Sequence, residues 1–124
     1  MIRLIQRRLI IPRGDTGSFS IPALDTVEDG DIAVFSIYDT LTHKTVFEKR
    51  IAATDSTLTI PFEHEDTVHL QPKKYLWDIK IYKNPVYEDE NDETSPLIGG
   101  EKIDSYYAAF SLPICEIKEV AQDV

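Results

Sequence analysis

Cysteine is almost missing from this chain: Cys115 is the one thiol in 124 residues. A single cysteine closes no intramolecular disulfide, which excludes a disulfide-stapled secreted scaffold and disfavours an antibody-type domain, both of which need pairs. Long apolar runs are missing too. No stretch approaches the ~20 residues that span a bilayer. The apolar start from Met1 to Ile11 is broken by Arg3, Arg7 and Arg8, and no small-residue cleavage site follows it. The expectation is a protein made in a cytosol, with neither signal peptide nor transmembrane segment.

Basic charge is scarce, with 13 Lys and Arg against 22 Asp and Glu and a net charge of −9. The imbalance is uneven. Glu88, Asp89, Glu90, Asp92 and Glu93 put five acids into six positions, whereas Arg3, Arg7, Arg8 and Arg13 all precede the first acid, Asp15. A phosphate backbone is bound by a basic stripe, so nucleic acid is not an expected partner. Catalytic signatures are lacking as well. There is no Gly-x-Ser-x-Gly, no phosphate-cradling glycine loop and no dinucleotide fingerprint, and no carboxylate pair stands out among the 22 acids. No enzyme activity is expected, no residue is assigned a catalytic, cofactor-binding or metal-binding role, and no cofactor is expected.

What remains is strand signal. Helical periodicity is nearly absent, and strand-like runs between turn residues recur along the whole chain. The most informative stretch is Leu70 to Tyr82. A Leu-x-Pro turn leads into a strand whose Tyr75, Trp77, Ile79 and Ile81 share one face, while Asp78, Lys80 and Tyr82 point to the other. Such a strand is packed on one side and wet on the other. Tyr75 sits where a tyrosine corner bonds back to the preceding turn, and Trp77 is expected in the core beside it.

Other strands are expected over residues 2–11, with a kink near Arg7-Arg8, and over Ser18 to Pro22. Ile32 to Tyr38 reads as a central strand, and Lys44 to Ile51 as an edge strand guarded by its lysines. Thr57 to Phe62 points Leu58, Ile60 and Phe62 inward, and Pro61 restricts it to an edge. Turns are read at Pro12 to Gly17, at Glu28 to Asp31 and in a hairpin through Asp39 to His43, and a polar corner with one helical turn over Glu63 to Val68. Leu97 to Ile103 and Tyr106 to Ile117 read as a closing hairpin with a bulge at Pro113. Residues 84–96 form an acidic loop expected to be mobile, and 118–124 a frayed tail.

The sum is one domain over 1–124: an all-β, immunoglobulin-like antiparallel β-sandwich of about 7–9 strands. That length buries roughly two-thirds of the unfolded surface, enough for a core without staples.

Several motifs invite a chemistry that plainer readings explain better. Arg13-Gly14-Asp15 matches an adhesion tripeptide, but its glycine belongs to the turn. Asp89, Asn91 and Glu93 alternate as in a calcium loop that lacks its glycine, so a solvated loop is preferred and weak divalent binding is left open. His43, His64 and His69 are dispersed; His64 and His69, with Glu63 or Asp66, lack the spacing of a zinc site. Cys115, between Ile114 and Ile117, reads as a small buried hydrophobe.

Three segments together carry a resemblance: Pro12-Arg-Gly-Asp-Thr-Gly-Ser-Phe19, Tyr75-Leu-Trp-Asp-Ile79 and Tyr106-Tyr-Ala-Ala-Phe-Ser-Leu-Pro113. They resemble small structural proteins of phages and prophages, in particular the immunoglobulin-like N-terminal domains of baseplate upper proteins. The resemblance implies a virion component, in a tail or baseplate, made in a bacterial cytoplasm. Its partners would be other virion proteins or itself, in a ring, through the edge strand, the basic first strand and the acidic loop. Neither nucleic acid nor membrane is an expected partner. The alternative is a carbohydrate-binding sandwich recognising a cell-surface glycan. That alternative requires three or more of Tyr38, Tyr82, Tyr87, Tyr106 and Tyr107 to be exposed and coplanar.

Overall fold

A computed structural model describes residues 1–22, 30–52, 57–92, 94–103 and 112–119, with side chains described throughout except over 99–103. Among the described residues nine strands and one helical turn follow in chain order: β1 (Arg3–Ile5), β2 (Arg8–Pro12), β3 (Gly17–Pro22), β4 (Ile32–Tyr38), β5 (Thr45–Ala52), β6 (Thr57–Phe62), α1 (His64–Thr67), β7 (Lys73–Tyr87), β8 (Leu97–Ile103) and β9 (Ile114–Lys118). The fold is all-β and sandwich-like. Seven strands form one mixed sheet in the order β1-β2-β9-β7-β4-β5, with β8 added on β7, and β3 pairs with β6 in a second sheet.

Alternation decides which faces meet. Phe19 and Ile21 of β3 and Leu58, Ile60 and Phe62 of β6 are buried against Phe35 and Ile37 of β4 and Trp77, Ile79 and Ile81 of β7. The rings interlock at the centre: Phe19 lies 5.6 Å from Trp77 edge-on, and Phe35 5.6 Å from Phe62. Edge-to-face contacts suit the quadrupoles of aromatic rings. β6 pairs with β3 alone among the described residues, so Pro61 removes no needed donor.

The Tyr75 corner is present. Its hydroxyl donates to the Gln71 carbonyl at 2.8 Å, and Trp77 Nε1 donates to the Arg7 carbonyl at 3.0 Å. Burial pushes the Tyr75 phenol above its ordinary pKa. At the Arg13-Gly14-Asp15 turn, Gly14 has φ +76, and an added Cβ would meet the His64 ring at 3.0 Å. Its N–H donates to Thr67 Oγ1 and its carbonyl accepts from His64 Nδ1. The glycine is required by backbone geometry and by its contact with α1.

The architecture departs from expectation in five places. The first strand does not kink but doubles back: Gln6 takes φ 56 and β1 pairs antiparallel with β2. The sheet is mixed, because β2 runs parallel to β9. Parallel strands need long crossovers, and here nearly the whole chain lies between them. β8 and β9 do not pair with each other among the described residues. Both lie on the same side of β7, β9 along Lys73–Leu76 and β8 along Ile81–Tyr87. Pro113 precedes β9, its carbonyl accepting the Trp77 N–H at 3.0 Å, and residues 104–111 lie outside the described residues.

The outer face of the large sheet is also less wet than expected, with Val34, Ser36 and Asp78 buried. Asp78 stands in the interval between β9 and β8, where its Oδ1 accepts the Ile79 N–H at 2.8 Å. A backbone donor next to a break in the ladder is thereby satisfied by a carboxylate. Finally, β7 continues through Asn84 to Tyr87, so the expected loop is largely the end of a strand and a turn. Lys118 closes β9, and 120–124 lie outside the described residues, as do Glu28 and Asp29 of the expected turn before Asp31.

Candidate interaction surface

β7 runs past the end of β4 and, with β8, forms an arm beyond the sheet. Its base is held by Lys83, whose Nζ donates to Asp31 Oδ2 at 2.8 Å, with the Asp31 side chain almost wholly buried. Its tip turns back to β5. Arg50 Nη1 donates to the Ser95 carbonyl at 2.6 Å, and the guanidinium lies 6.0 Å from the centre of the Tyr87 ring. A guanidinium over an aromatic face is favourable and holds the two elements in register.

The tip is a built turn. Asp89 Oδ1 accepts the Asn91 N–H, Asp92 Oδ1 accepts both the N–H and the hydroxyl of Thr94, and Ser95 Oγ donates to the Asp92 carbonyl at 2.6 Å. The Thr94 hydroxyl and N–H hold the Asp92 carboxyl below its ordinary pKa. Two of the acids thus serve the turn itself, while Glu88 and Glu90 extend from it, exposed. Glu93 lies outside the described residues. Of the alternating residues that suggested a calcium loop, Asp89 is turned onto neighbouring backbone.

Between arm and sheet lies a groove of about 490 Å³, lined by Ile32, Glu48, Arg50, Ala52, Tyr87 and Thr94 among others. Its floor is the edge strand β5, which pairs only with β4 among the described residues. Lys49 does not guard this edge as expected. Its ammonium donates to the Pro61 carbonyl at 2.8 Å and to Asp66 Oδ2 at 3.0 Å, bridging the open side of the sandwich towards β6 and α1. The edge strand and the acidic turn, some forty residues apart in sequence, thus form one concave surface. Sequence reasoning named both but had no signal for their meeting.

The basic first strand lies at the opposite edge of the sheet. Arg8 is paired with Glu116, and Arg13 with Glu119 at 2.8 Å. The Arg8 guanidinium holds the Glu116 carboxyl below its ordinary value. Arg3 and Arg7 are exposed, and so is Ile5 beside them.

The tyrosines are not brought together. Tyr38 and Tyr82 share the outer face, but their partners in the ladder, Leu76 and Ile32, lie at its two ends. Six residues at ~3.3 Å each separate them by roughly 20 Å. Tyr38, Tyr82 and Tyr87 are each half-buried, and Tyr106 and Tyr107 lie outside the described residues. Cys115 is fully buried, and burial pushes its thiol up to about 12, the environment of an inert packing residue. His64 is spent on Gly14, and among the described residues no three His, Cys, Asp or Glu side chains converge as metal ligands would. No helix among them is long and apolar enough to cross a membrane. Compared with protein-family models, curated proteins and solved structures, the chain matches none.

Proposed function

We propose that this domain is a non-catalytic protein-interaction module whose contact surface is the β5 edge and the acidic arm that walls it. The observation that carries this reading is the groove itself. An edge strand presents backbone donors and acceptors to an incoming strand, and a flanking wall adds side-chain selectivity. The Arg50–Ser95 and Arg50–Tyr87 contacts hold the wall in place before any partner arrives, which lowers the ordering cost of association. The setting we propose, a phage tail or baseplate, rests on the three resembling segments alone.

A photo-cross-linking amino acid at Glu48, exposed on the groove floor, tests the reading in producing cells. The expected result is a covalent adduct to polypeptide, absent when the same group replaces Ser18, which is exposed on β3 of the smaller sheet. The glycan reading predicts the reverse: no polypeptide adduct, and binding of the purified domain on a glycan array.

A further inference from the structure

We infer that the groove receives the β1 edge of a second copy of this chain, so that the seven-stranded sheet continues head to tail from one copy into the next. The inference rests on the interaction reading above and names its partner. The path β1-β2-β9-β7-β4-β5 through the large sheet ends in two unlike edges, β1 and β5, each with one strand partner among the described residues, while β8 stands off this path on β7. The β1 edge carries exposed Arg3 and Arg7 and an Ile5 that is 51% exposed. The arm that meets β5 through Tyr87 and Ser95 carries exposed Glu88 and Glu90 between them in sequence.

Strand direction makes the two edges compatible. From β1 to β5 the pairings run antiparallel, parallel, antiparallel, antiparallel and antiparallel, so β1 points the same way as β5. A second copy therefore docks without being turned over. Its core-facing side stays continuous with the first, and its β1 lies parallel to β5. In that arrangement β1 ends, at the Gln6-Arg7 turn, towards the same end of β5 where the arm stands, because Ala52 rather than Thr45 is level with Ile32 and Tyr82. The arginine turn is thus delivered to the glutamates. Opposite charges meet at one joint, while two β5 edges facing each other would bring acid against acid. The joint uses a different surface on each partner, so repetition gives a ring where the rotation closes and a filament where it does not. Sheet twist supplies that rotation.

Charge exchange tests the joint. Sedimentation velocity at low salt is expected to show species larger than a monomer that dissociate as salt rises. Arg3→Glu with Arg7→Glu, and separately Glu88→Lys with Glu90→Lys, should each weaken association at least tenfold, and an equimolar mixture of the two variants should restore hetero-association. Circular dichroism melts verify that each variant is folded. Self-association that either double variant leaves intact overturns the joint, and so does a mixture that stays monomeric. A wild type that is monomeric yet still forms polypeptide adducts from position 48 overturns the self-joint and leaves the interaction reading standing. A monomer with no adducts overturns both.

Discussion

The two ends of β7 are one strand built to two different specifications. Along Lys73–Ile81 one face is dominated by apolar side chains, a second sheet covers it, and Tyr75, Trp77, Ile79 and Ile81 are buried in the common core. Beyond Lys83 nothing comparable lies opposite among the described residues. Val86 is 49% exposed and Ile98 on the neighbouring strand 64%, and the arm is held by polar contacts at its base and tip. Apolar burial stabilises without direction, whereas hydrogen bonds and ion pairs stabilise little but fix orientation. The first half of the strand therefore sets the stability of the domain, and the second half sets the shape of its groove.

The two halves also share a device. Asp39 follows β4 and Asp31 precedes it, and each pairs with a β7 lysine, Lys73 at 2.7 Å and Lys83 at 2.8 Å. The β4–β7 ladder is clamped at both ends by the same chemistry, more buried at the Lys83 end, where the aspartate side chain is 8% exposed against 18% for Asp39.

Three substitutions sharpen this contrast. The largest effect belongs to the core half: Trp77→Ala should cost about 3–5 kcal/mol, because it removes packing and leaves a cavity. Denaturant unfolding measures it, and a loss below about 1 kcal/mol, the size of an ordinary surface change, would contradict the division of labour. Next is the arm: Lys83→Met leaves the buried Asp31 carboxylate short of its cation and should cost about 1–3 kcal/mol. In hydrogen exchange the loosening should centre on 83–98 and leave Tyr75 to Ile81 protected; uniform loss of protection would show that the arm and core unfold as one unit.

The smallest effect is electrostatic. Lys73, then the N–H groups of Thr42 and Leu41, hold the Asp39 carboxyl well below its ordinary value of 3.8. A carboxyl depressed in the folded state contributes stability above its unfolded pKa and loses it as pH falls through that value and below. Melting temperature should therefore decline as pH drops from about 4. Asp39→Asn should make that decline shallower and leave the melting temperature above about pH 6, where the carboxyl is fully ionised in both states, slightly lower than in the parent. An identical acid limb in both proteins would remove Asp39 from the account.

Much of the core was legible because alternation is local. Phe62, Ile60 and Leu58 announce their face within six residues, and Tyr75 and Trp77 announce a corner and a core position from spacing alone. Asp78 was misread for the same reason. Alternation assigns it to the outer face but carries no information about its burial there. The hairpin at Gln6 was hidden because neither Gln6 nor Arg7 is a residue type that marks a turn. At the groove, both components were visible as separate features, an edge strand and an acidic turn, and their contact through Arg50 was not.

The chain by itself therefore determined where most of the strands run, which side chains face inward and which glycine must turn, since these depend on backbone preference and period within a few residues. Only the tertiary structure decided that β2 lies beside β9, that β8 and β9 divide one edge of β7, and that the arm closes over β5. Apart from the nearer β7–β8 pair, these contacts join segments about forty to a hundred residues apart. They are selected by the burial of the whole core at once, which no local pattern records.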